Sequence, residues 1–397
     1  MRTSVASTAR DDDPIRLHYK VFPPETASVV TLAASGGNGI PIMLKKTVLD
    51  LMRITGAFAP FRLANRSKVL ILTYHRFSPD IADYKTSAQA FADHLEYLTE
   101  HYRILPLGQI ADCIATGKTL PLGTAAITID DGYQDFYDVA YPLLLKHRAP
   151  ATLFVATDFV DQKGWLWTDK MRYLTAHTAQ SELNVTISGR TVRGALTTPL
   201  ARRNAADKVT AILKSLPNHQ KEETLKHMAA TLSVVLPAVP PKEYGAITWK
   251  QAREIDGEGI EIGSHTVTHP ILVNTTDDQL HFEMLQSRSR AEEELGRQVS
   301  LFCYPNGRND ARVQQATAQA GYRCAVTNAH GMNTLHTPLL GLRRIAPESD
   351  LAHFVQSTSG FEEVKATLRN GWQQTLVEKA ATTAVAPQLF AGQVKQV

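Results

Sequence analysis

Residues 124–156, TAAITIDDGYQDFYDVAYPLLLKHRAPATLFVA, decide the fold class of this chain. Thr124–Ile129 and Ala151–Ala156 are short apolar runs that predict buried strands, and Tyr133–His147 between them has the pattern of a helix. Ala149 and Pro150 end that helix. A strand, a helix and a strand in this order predict two neighbouring parallel strands joined by a helical crossover.

The same alternation continues on both sides of this unit. Before it, a strand at Val69–Tyr74 leads to a helix at Ser87–His101. After residue 248 we predict helices at Trp249–Glu258, Thr276–Leu295, Ala311–Gly321 and Leu351–Asn370, and strands at Ile260–Ser264, Ser300–Cys303, Arg323–Thr327 and Leu342–Ile345. The sequence therefore predicts an α/β fold, an incomplete barrel of about seven βα units.

The alternation stops between residues 165 and 246. This stretch contains an aromatic segment, GWLWTDKMRY, a short polar strand candidate, NVTISGRTV, and helical patterns at Pro199–Ser215 and Lys221–Val234. We interpret residues 165–244 as a largely helical insertion that caps one face of the barrel. The predicted boundaries are an extension that lacks order at 1–42, an amphipathic helical lead-in at 43–66, the barrel at 67–164 and 245–372, and a tail at 373–397.

Composition excludes several classes of protein. The 397 residues carry a formal net charge of +3 without a sustained basic run, which argues against a nucleic-acid partner. Three cysteines without a CxxC pair argue against a disulfide framework and fit a reducing compartment. Asp11–Asp13 stand where the apolar core of a signal peptide would lie, and no run of about 18 apolar residues predicts a transmembrane span. We therefore expect a cytoplasmic protein.

The stretch 43–64, MLKKTVLDLMRITGAFAPFRLA, is basic and amphipathic. It allows two interpretations: a helix that packs on the domain, which we favour, or a peripheral contact with a membrane surface.

Polar motifs follow three of the predicted strands, at the end where barrels place their active sites. Asp130 and Asp131 in TIDDGYQD are adjacent carboxylates, which repel each other unless a cation or a proton lies between them. His265 and His269 in SHTVTHP would share one face of a helical turn, and imidazole is a common ligand of zinc. The third motif, FCYPNGR, predicts a turn that aims backbone N–H groups into the pocket.

Taken together, the motifs describe one kind of site. Two histidines and a carboxylate can hold a divalent cation and leave a position open for water or substrate, while the second carboxylate is free to act as a base. This arrangement is the one that metal-assisted hydrolysis requires.

TIDDG, SHTVTH and FCYPNG, in this order, resemble the first three motifs of the NodB-homology polysaccharide deacetylases, carbohydrate esterase family four. The resemblance covers about residues 68–165 and 245–347 and implies a distorted (β/α)7 barrel that removes acetyl groups, most commonly N-acetyl, from a glycan. It implies that Asp130 is the catalytic base and that the backbone N–H of Asn306 donates to the oxyanion, with Tyr304 and Pro305 beside the substrate. It also implies one divalent cation, zinc first and cobalt or nickel as alternatives, held by Asp131, His265 and His269.

The sequence departs from the family pattern at two places. The family usually has an arginine, which holds the base aspartate, where this chain has Cys303, and the late motif with a catalytic histidine is not evident. Tyr74-His75 resembles a dipeptide of the poly-N-acetylglucosamine deacetylase branch, so we favour His75 as general acid over His330 or His336. Trp165 and Trp167 are candidates for stacking on sugar rings.

Two other functions stay open at this point. The same ligands could serve a hydrolase of another non-peptide C–N bond, such as a cyclic amide, behind a pocket closed by the insertion. Cys303 and the missing late histidine would also suit a carbohydrate-binding pseudoenzyme. The identity of the glycan is open as well: a chitooligosaccharide, poly-N-acetylglucosamine and an exopolysaccharide repeat unit are all compatible with the motifs.

Overall fold

The computed structural model describes residues 42–367, so the predicted N-terminal extension, the tail and the end of the last predicted helix lie outside the described residues. The strands are β1 Leu70–Tyr74, β2 Phe77–Ser78, β3 Thr86–Ser87, β4 Arg103–Ile104, β5 Thr124–Ile129, β6 Ala151–Val155, β7 Glu182–Ile187, β8 Arg190–Ala195, β9 Ile260–Ser264, β10 Leu301–Cys303, β11 Cys324–His330 and β12 Leu342–Arg344. The α-helices are α1 Ile42–Ile54, α2 Ala59–Ala64, α3 Ala88–His101, α4 Leu107–Thr116, α5 Tyr141–His147, α6 Thr157–Val160, α7 Trp167–His177, α8 Pro199–Leu213, α9 Asn218–Thr231, α10 Trp249–Ile255, α11 Asp277–Leu295, α12 Ala311–Gln319 and α13 Leu351–Thr358.

Parallel strands form a nearly closed barrel in the order β1-β5-β6-β9-β10-β11-β12. The last strand returns to the first: the backbone N–H of Ile345 donates to the carbonyl of Ile71 at 2.8 Å, and that of Thr73 donates to the carbonyl of Ile345 at 3.1 Å. The predicted distorted (β/α)7 barrel is therefore confirmed.

Alternate strand residues face the inside and the outside of the barrel, as the period of a strand requires. Along β1 and β5, Ile71 and Ala126 pack in one apolar cluster, whereas Leu72 and Ile127 belong to another that includes the surrounding helices. Because both sides of each strand are buried, the sequence shows continuous apolar runs rather than strict alternation. Helix α4, which the sequence analysis did not predict, packs Leu107, Ile110 and Ala111 into the inner cluster.

Most helix bounds agree with the prediction, and the differences have local causes. The predicted helix Tyr133–His147 is a π-helical turn at Phe136–Ala140 followed by α5. The predicted last helix ends early, at Thr358, because Gly360 has a φ of +79°, and helical residues resume at 361–367. Gly296 ends α11 in the left-handed conformation, which is common for a glycine directly after a helix.

The insertion contains an antiparallel hairpin as well as helices. β7 pairs with β8, so the polar strand candidate forms a hairpin with Ser188 and Gly189 in its turn. With α7, α8 and α9, the hairpin builds a separate cluster of buried apolar side chains that includes Leu183, Val209 and Met228. The domain boundaries given above stay predictions.

The lead-in forms two helices that pack along the outside of the barrel. Leu49 and Phe58 are buried there, and the ring of Phe361 meets that of Phe58 edge-on. Lys46 in α1 pairs with Asp350 at the start of α13. Among the helices within residues 42–367, none combines the length and the apolar character that crossing a membrane would need.

Candidate active site

Asp131, His265 and His269 meet above the carboxyl ends of β5 and β9. The Nε2 atoms of the two histidines lie 3.4 and 3.3 Å from the same oxygen, Oδ1 of Asp131. All three side chains are buried. Residues that are far apart in the sequence therefore share one locus, as a cation site would require.

Each histidine presents one nitrogen to this locus. Nδ1 of His265 donates a hydrogen bond to the carbonyl oxygen of Cys303 at 2.7 Å, which turns Nε2 towards Asp131. Burial would lower the pKa of His265, but Cys303 and the hydrogen bond to Asp131 raise it well above its usual value, so a cation would have to displace the proton on Nε2. Burial lowers the pKa of His269 to about 3, which keeps its imidazole neutral. Burial would raise the pKa of Asp131, but the neighbouring imidazoles lower it to about 2. A neutral imidazole and an ionised carboxylate are the protonation states that bind cations.

The loop between the two histidines is not the helical turn that we predicted. Residues 265–270 lack helical structure, and Thr266 and His269 have φ values of +73° and +57°. Glu283 of α11 is buried and holds this loop: one of its carboxylate oxygens accepts hydrogen bonds from the backbone N–H groups of Val267 at 2.7 Å and Thr268 at 3.0 Å. The imidazoles converge because a buried carboxylate fixes an unusual backbone, and not because of helical spacing.

The three side chains fit a divalent cation. Ligands about 2.0–2.1 Å from a tetrahedral zinc ion are separated by roughly 3.4 Å, which agrees with the spacing found between these donor atoms. Oδ1 of Asp131 accepts no hydrogen bond among the described residues, although it is buried. A buried carboxylate oxygen without a donor is costly unless a cation or another donor reaches it.

Asp130, the second carboxylate, is held by a buried arginine that the sequence analysis did not assign to the site. Arg344 of β12 donates from Nη1 to Oδ1 and from Nη2 to Oδ2 of Asp130, each at 2.7 Å. The thiol of Cys303 donates to Oδ2 at 3.4 Å. Burial would raise the pKa of Asp130, but the charge and hydrogen bonds of Arg344 outweigh it and hold the pKa below its usual range.

A second group of possible ligands, Asp130, His265 and Cys303, overlaps with the first. Both oxygens of Asp130 are occupied by Arg344, and Nη2 of Arg344 also contacts the sulfur of Cys303 at 3.3 Å. Burial raises the pKa of the Cys303 thiol, which keeps it protonated and a poor ligand. Asp131, His265 and His269 are therefore the better candidates to hold a cation.

His75 lies on the solvent side of the same site. Its Nε2 is 3.6 Å from Oδ2 of Asp130, and 46% of its side chain is exposed. His330 and His336 are exposed and make no contact with Asp130, Asp131, His265 or His269 in the described structure. Of the three candidate histidines, the structure therefore places His75 beside Asp130, and His330 and His336 lie elsewhere.

Comparisons with known proteins identify the family of the chain. The model of the polysaccharide deacetylase family matches residues 117–325, which include both carboxylates, both histidines and the turn after β10. The chain belongs to the polysaccharide deacetylase family. It is therefore an enzyme, a polysaccharide deacetylase by family.

The deacetylase is similar to several named proteins and to solved structures. The Bacillus subtilis (strain 168) protein YxkH, which carries the name of a polysaccharide deacetylase, is 22% identical over 280 residues, 70% of this chain and 71% of that protein. A poly-β-1,6-N-acetyl-D-glucosamine N-deacetylase of Staphylococcus aureus (strain MSSA476) is 28% identical over 145 residues, 32% of this chain and half of that protein. The Streptococcus pyogenes deacetylase PplD, solved with acetate, has the same fold, with a TM-score of 0.50, 21% identity and coverage of 73% of this chain and 98% of that chain.

Four predicted substrate contacts of the deacetylase are buried. Trp165 donates to the carbonyl of Pro237 at 3.1 Å, and Trp167 donates to the carbonyl of His269 at 3.3 Å. Their exposed fractions are 8% and 4%, so neither ring offers a face to a sugar, and both indoles pack the insertion against the barrel. Tyr304 is also buried and donates to the carbonyl of Leu340, and Pro305 is buried beside it.

Asn306 of the deacetylase has the backbone conformation of a tight turn. Its φ is +57° and its ψ is 14°, between the buried Pro305 and Gly307, which also has a positive φ. A Cβ at position 307 would lie 2.3 Å from the backbone nitrogen of Asn328, so a glycine is required there. This turn stands directly after β10, at the same end of the barrel as the two histidines.

Arg344 and Glu283 are the two residues of the site that the sequence analysis missed. Arg344 had one weak signal: in the predicted strand LRRI it alternates with the exposed Arg343, which places Arg344 and Leu342 on the buried side. A charged residue on the inner side of a predicted barrel strand indicates a buried partner. Glu283 gave no local signal, because it lies in the middle of a polar helix.

Proposed function

We propose that this deacetylase hydrolyses N-acetyl groups of a polysaccharide or oligosaccharide with one divalent cation. The observation that carries the proposal is the convergence of Asp131, His265 and His269 beside an ionised Asp130. Two imidazoles and one carboxylate suit zinc, and cobalt or nickel accept the same donors. A cation held there would supply a Lewis acid to polarise the acetyl carbonyl.

The side chains around the cation site would perform the proton transfers. Asp130 is ionised and accepts a proton from the attacking water. The backbone N–H of Asn306 donates to the oxyanion that develops on the acetyl group, a contribution of about 3–4 kcal/mol for one such donor. His75, partly exposed beside Asp130, gives a proton to the departing nitrogen.

Cys303 and the missing late histidine, the two departures from the family pattern, no longer favour a pseudoenzyme, because other residues supply the same groups. Arg344 supplies from β12 the guanidinium that is missing at Cys303, and both groups contact the same carboxylate oxygen. His75 supplies an imidazole from the loop after β1. Named relatives that act on poly-β-1,6-N-acetyl-D-glucosamine favour an N-acetylated glucosamine polymer, although they match over half of their length or less.

The test combines metal analysis with acetate release. Purified protein is analysed for bound metal and assayed against chitooligosaccharides, poly-β-1,6-N-acetylglucosamine, an O-acetylated exopolysaccharide and a cyclic amide. Asp130→Asn and Asp131→Asn form a matched pair, because each changes one of two adjacent carboxylates. We expect Asp130→Asn to keep the metal and lose turnover, and Asp131→Asn to lose both. Full turnover by Asp130→Asn, or hydrolysis of the cyclic amide alone, would contradict the proposal.

A further inference from the structure

The outward face of α1 and α2 carries apolar side chains that the fold does not bury. We call this surface the lead-in face; its apolar members, with their exposed fractions, are Leu44 52%, Val48 46%, Leu51 60%, Ile54 72% and Leu63 61%. Leu44, Val48 and Leu51 follow the i, i+4, i+7 spacing, so they form one row along α1. Contiguous apolar rows on a surface indicate a binding partner, in contrast to single exposed leucines.

The opposite side of the same helices is fixed to the barrel. Leu49 and Phe58 are buried, and Lys46 and Lys68 pair with Asp350 and Glu363. The exposed row is therefore presented by a docked helix pair and needs no rearrangement to become accessible.

The charge of the lead-in selects the kind of partner. The lead-in and the two residues that follow it, 43–68, contain six basic and one acidic side chain, a net charge of +5. The remaining residues contain 36 basic and 38 acidic side chains, so the positive charge of the chain is concentrated in this segment. Lys45 and Arg66 are exposed and have no carboxylate within 4.0 Å among the described residues.

We infer that the lead-in face docks on an anionic lipid surface. Exposed leucine and isoleucine side chains on a segment that also carries unpaired basic groups are the combination that binds the interface of an anionic membrane reversibly. A second copy of the chain would bring two segments of charge +5 together, which electrostatic repulsion disfavours. Residues 1–41 contain four basic and four acidic side chains, so their net charge gives them no preference for this face.

Docking through this face is independent of hydrolysis. If the proposed function holds, docking through this face would place the enzyme beside glycans that are carried on a lipid bilayer or delivered from it. Because vesicle binding is measured without any substrate, failure of this inference and failure of the proposed function would be recognised separately.

The experiment measures partition of the full chain onto vesicles. Vesicles of phosphatidylglycerol and phosphatidylcholine in equal amounts are compared with vesicles of phosphatidylcholine alone by co-sedimentation. We expect binding to the anionic vesicles only, and release in about 1 M salt, where the screening length falls to about 3 Å. The double variant Leu51→Glu/Ile54→Glu should bind about a hundredfold more weakly, because two apolar contacts are lost and two negative charges are added.

The matched control is Val235→Glu/Val239→Glu. These valines are 87% and 66% exposed and lie in the insertion, so the control makes the same change of charge and polarity elsewhere. It should bind like the unmodified chain, and both double variants should release acetate from a soluble oligosaccharide at the unmodified rate. The inference is overturned by absence of binding to anionic vesicles, by equal binding of both double variants, or by a dimer that Leu51→Glu/Ile54→Glu converts to a monomer.

Discussion

Arg344 and Asp130 form a bidentate ion pair in which each terminal nitrogen of the guanidinium donates to a different carboxylate oxygen, at 2.7 Å in both cases. Both side chains are buried, and the pair joins β12 to the end of β5 across the barrel. The planar guanidinium matches the carboxylate in a way that lysine cannot. The pair therefore fixes the orientation of the proposed base as well as its charge.

Replacing Arg344 with methionine should impair the proposed base more than it impairs metal binding. Without the guanidinium, burial dominates and raises the pKa of Asp130, so a smaller fraction of the base is ionised at low pH. We expect acetate release to fall about 10²-fold near neutral pH and further at pH 5, so that the acidic limb of the kcat/KM profile moves to higher pH. Metal content should stay unchanged, because Asp131, His265 and His269 are intact.

Folding of this variant needs its own control, because an unpaired buried charge costs about 3–5 kcal/mol. Arg344→Met/Cys303→Arg returns a guanidinium to the carboxylate from β10, since Cys303 already contacts Asp130. We expect this double variant to recover stability and part of the activity. A single variant with the unmodified pH profile would show that Arg344 acts on folding alone.

Glu283 should control metal affinity without touching the cation. Its carboxylate accepts hydrogen bonds from the backbone of Val267 and Thr268, between the two histidine ligands. In Glu283→Gln a neutral amide oxygen replaces the carboxylate oxygen that accepts these two bonds, so both hydrogen bonds become weaker. We expect metal affinity to fall about 10–100-fold, the usual effect of changing a group that orients ligands.

Competition with a chelator of known affinity measures this loss. Glu292→Gln on the same helix is a suitable control, because its carboxylate interacts with Arg288 and the backbone of Val299, away from the histidines. Equal metal affinity in both variants would contradict the role of Glu283.

The barrel strands could be predicted because their signal is local. Thr124–Ile129 and Ile260–Ser264 have the predicted bounds, since short apolar runs that end in polar motifs are typical of strands buried on both sides. Helix α4 could not be predicted with the same means. Its Leu107 and Ile110 pack on residues inside the barrel, and that interior exists only once the distant strands have assembled.

The residues proposed for the site lie close together, but the helical turn predicted between the two histidines is wrong. The aspartates at 130 and 131 and the histidines at 265 and 269 predict a cation site, because carboxylate and imidazole are common metal ligands. The conformation of the loop at 265–269 depends on Glu283, a contact between separate elements that no spacing encodes. Trp165 and Trp167 could not be placed from the sequence for a similar reason. An indole can stack on a sugar ring or pack in a core, and the fold of the insertion buries both of these side chains.

His75 should affect the proton transfer to the leaving group. In His75→Ala we expect kcat for an N-acetylated oligosaccharide to fall about 10²–10⁴-fold with little change in KM or metal content. An activated aryl acetate, whose phenolate leaves without a proton, should lose much less activity. The side chain is 46% exposed, so the substitution should leave the fold intact.

His330→Ala tests the alternative acid in the same assays. His330 is exposed at the end of β11 and is expected to be dispensable for both substrates. If His330→Ala loses activity on the amide and His75→Ala does not, the general acid has been assigned to the wrong histidine.

Lys221 should make the stability of the protein depend on pH in the alkaline range. The residue is 1% exposed, and its Nζ has no hydrogen-bond partner among residues 42–367 and lies 4.5 Å from the centroid of the Trp167 ring. Burial lowers its pKa to about 8 from the usual 10.5. Between these values the unfolded chain binds a proton that the folded chain does not, so the free energy of unfolding should rise from pH 8 to pH 10.5.

The variant Lys221→Met should not show this rise, and at pH 7 it should be more stable than the unmodified chain by about 1–3 kcal/mol. Denaturant unfolding at several pH values measures both effects, with the exposed Lys226→Met of the same helix as the control. Parallel pH profiles of the two variants would show that the buried ammonium has a partner in solution.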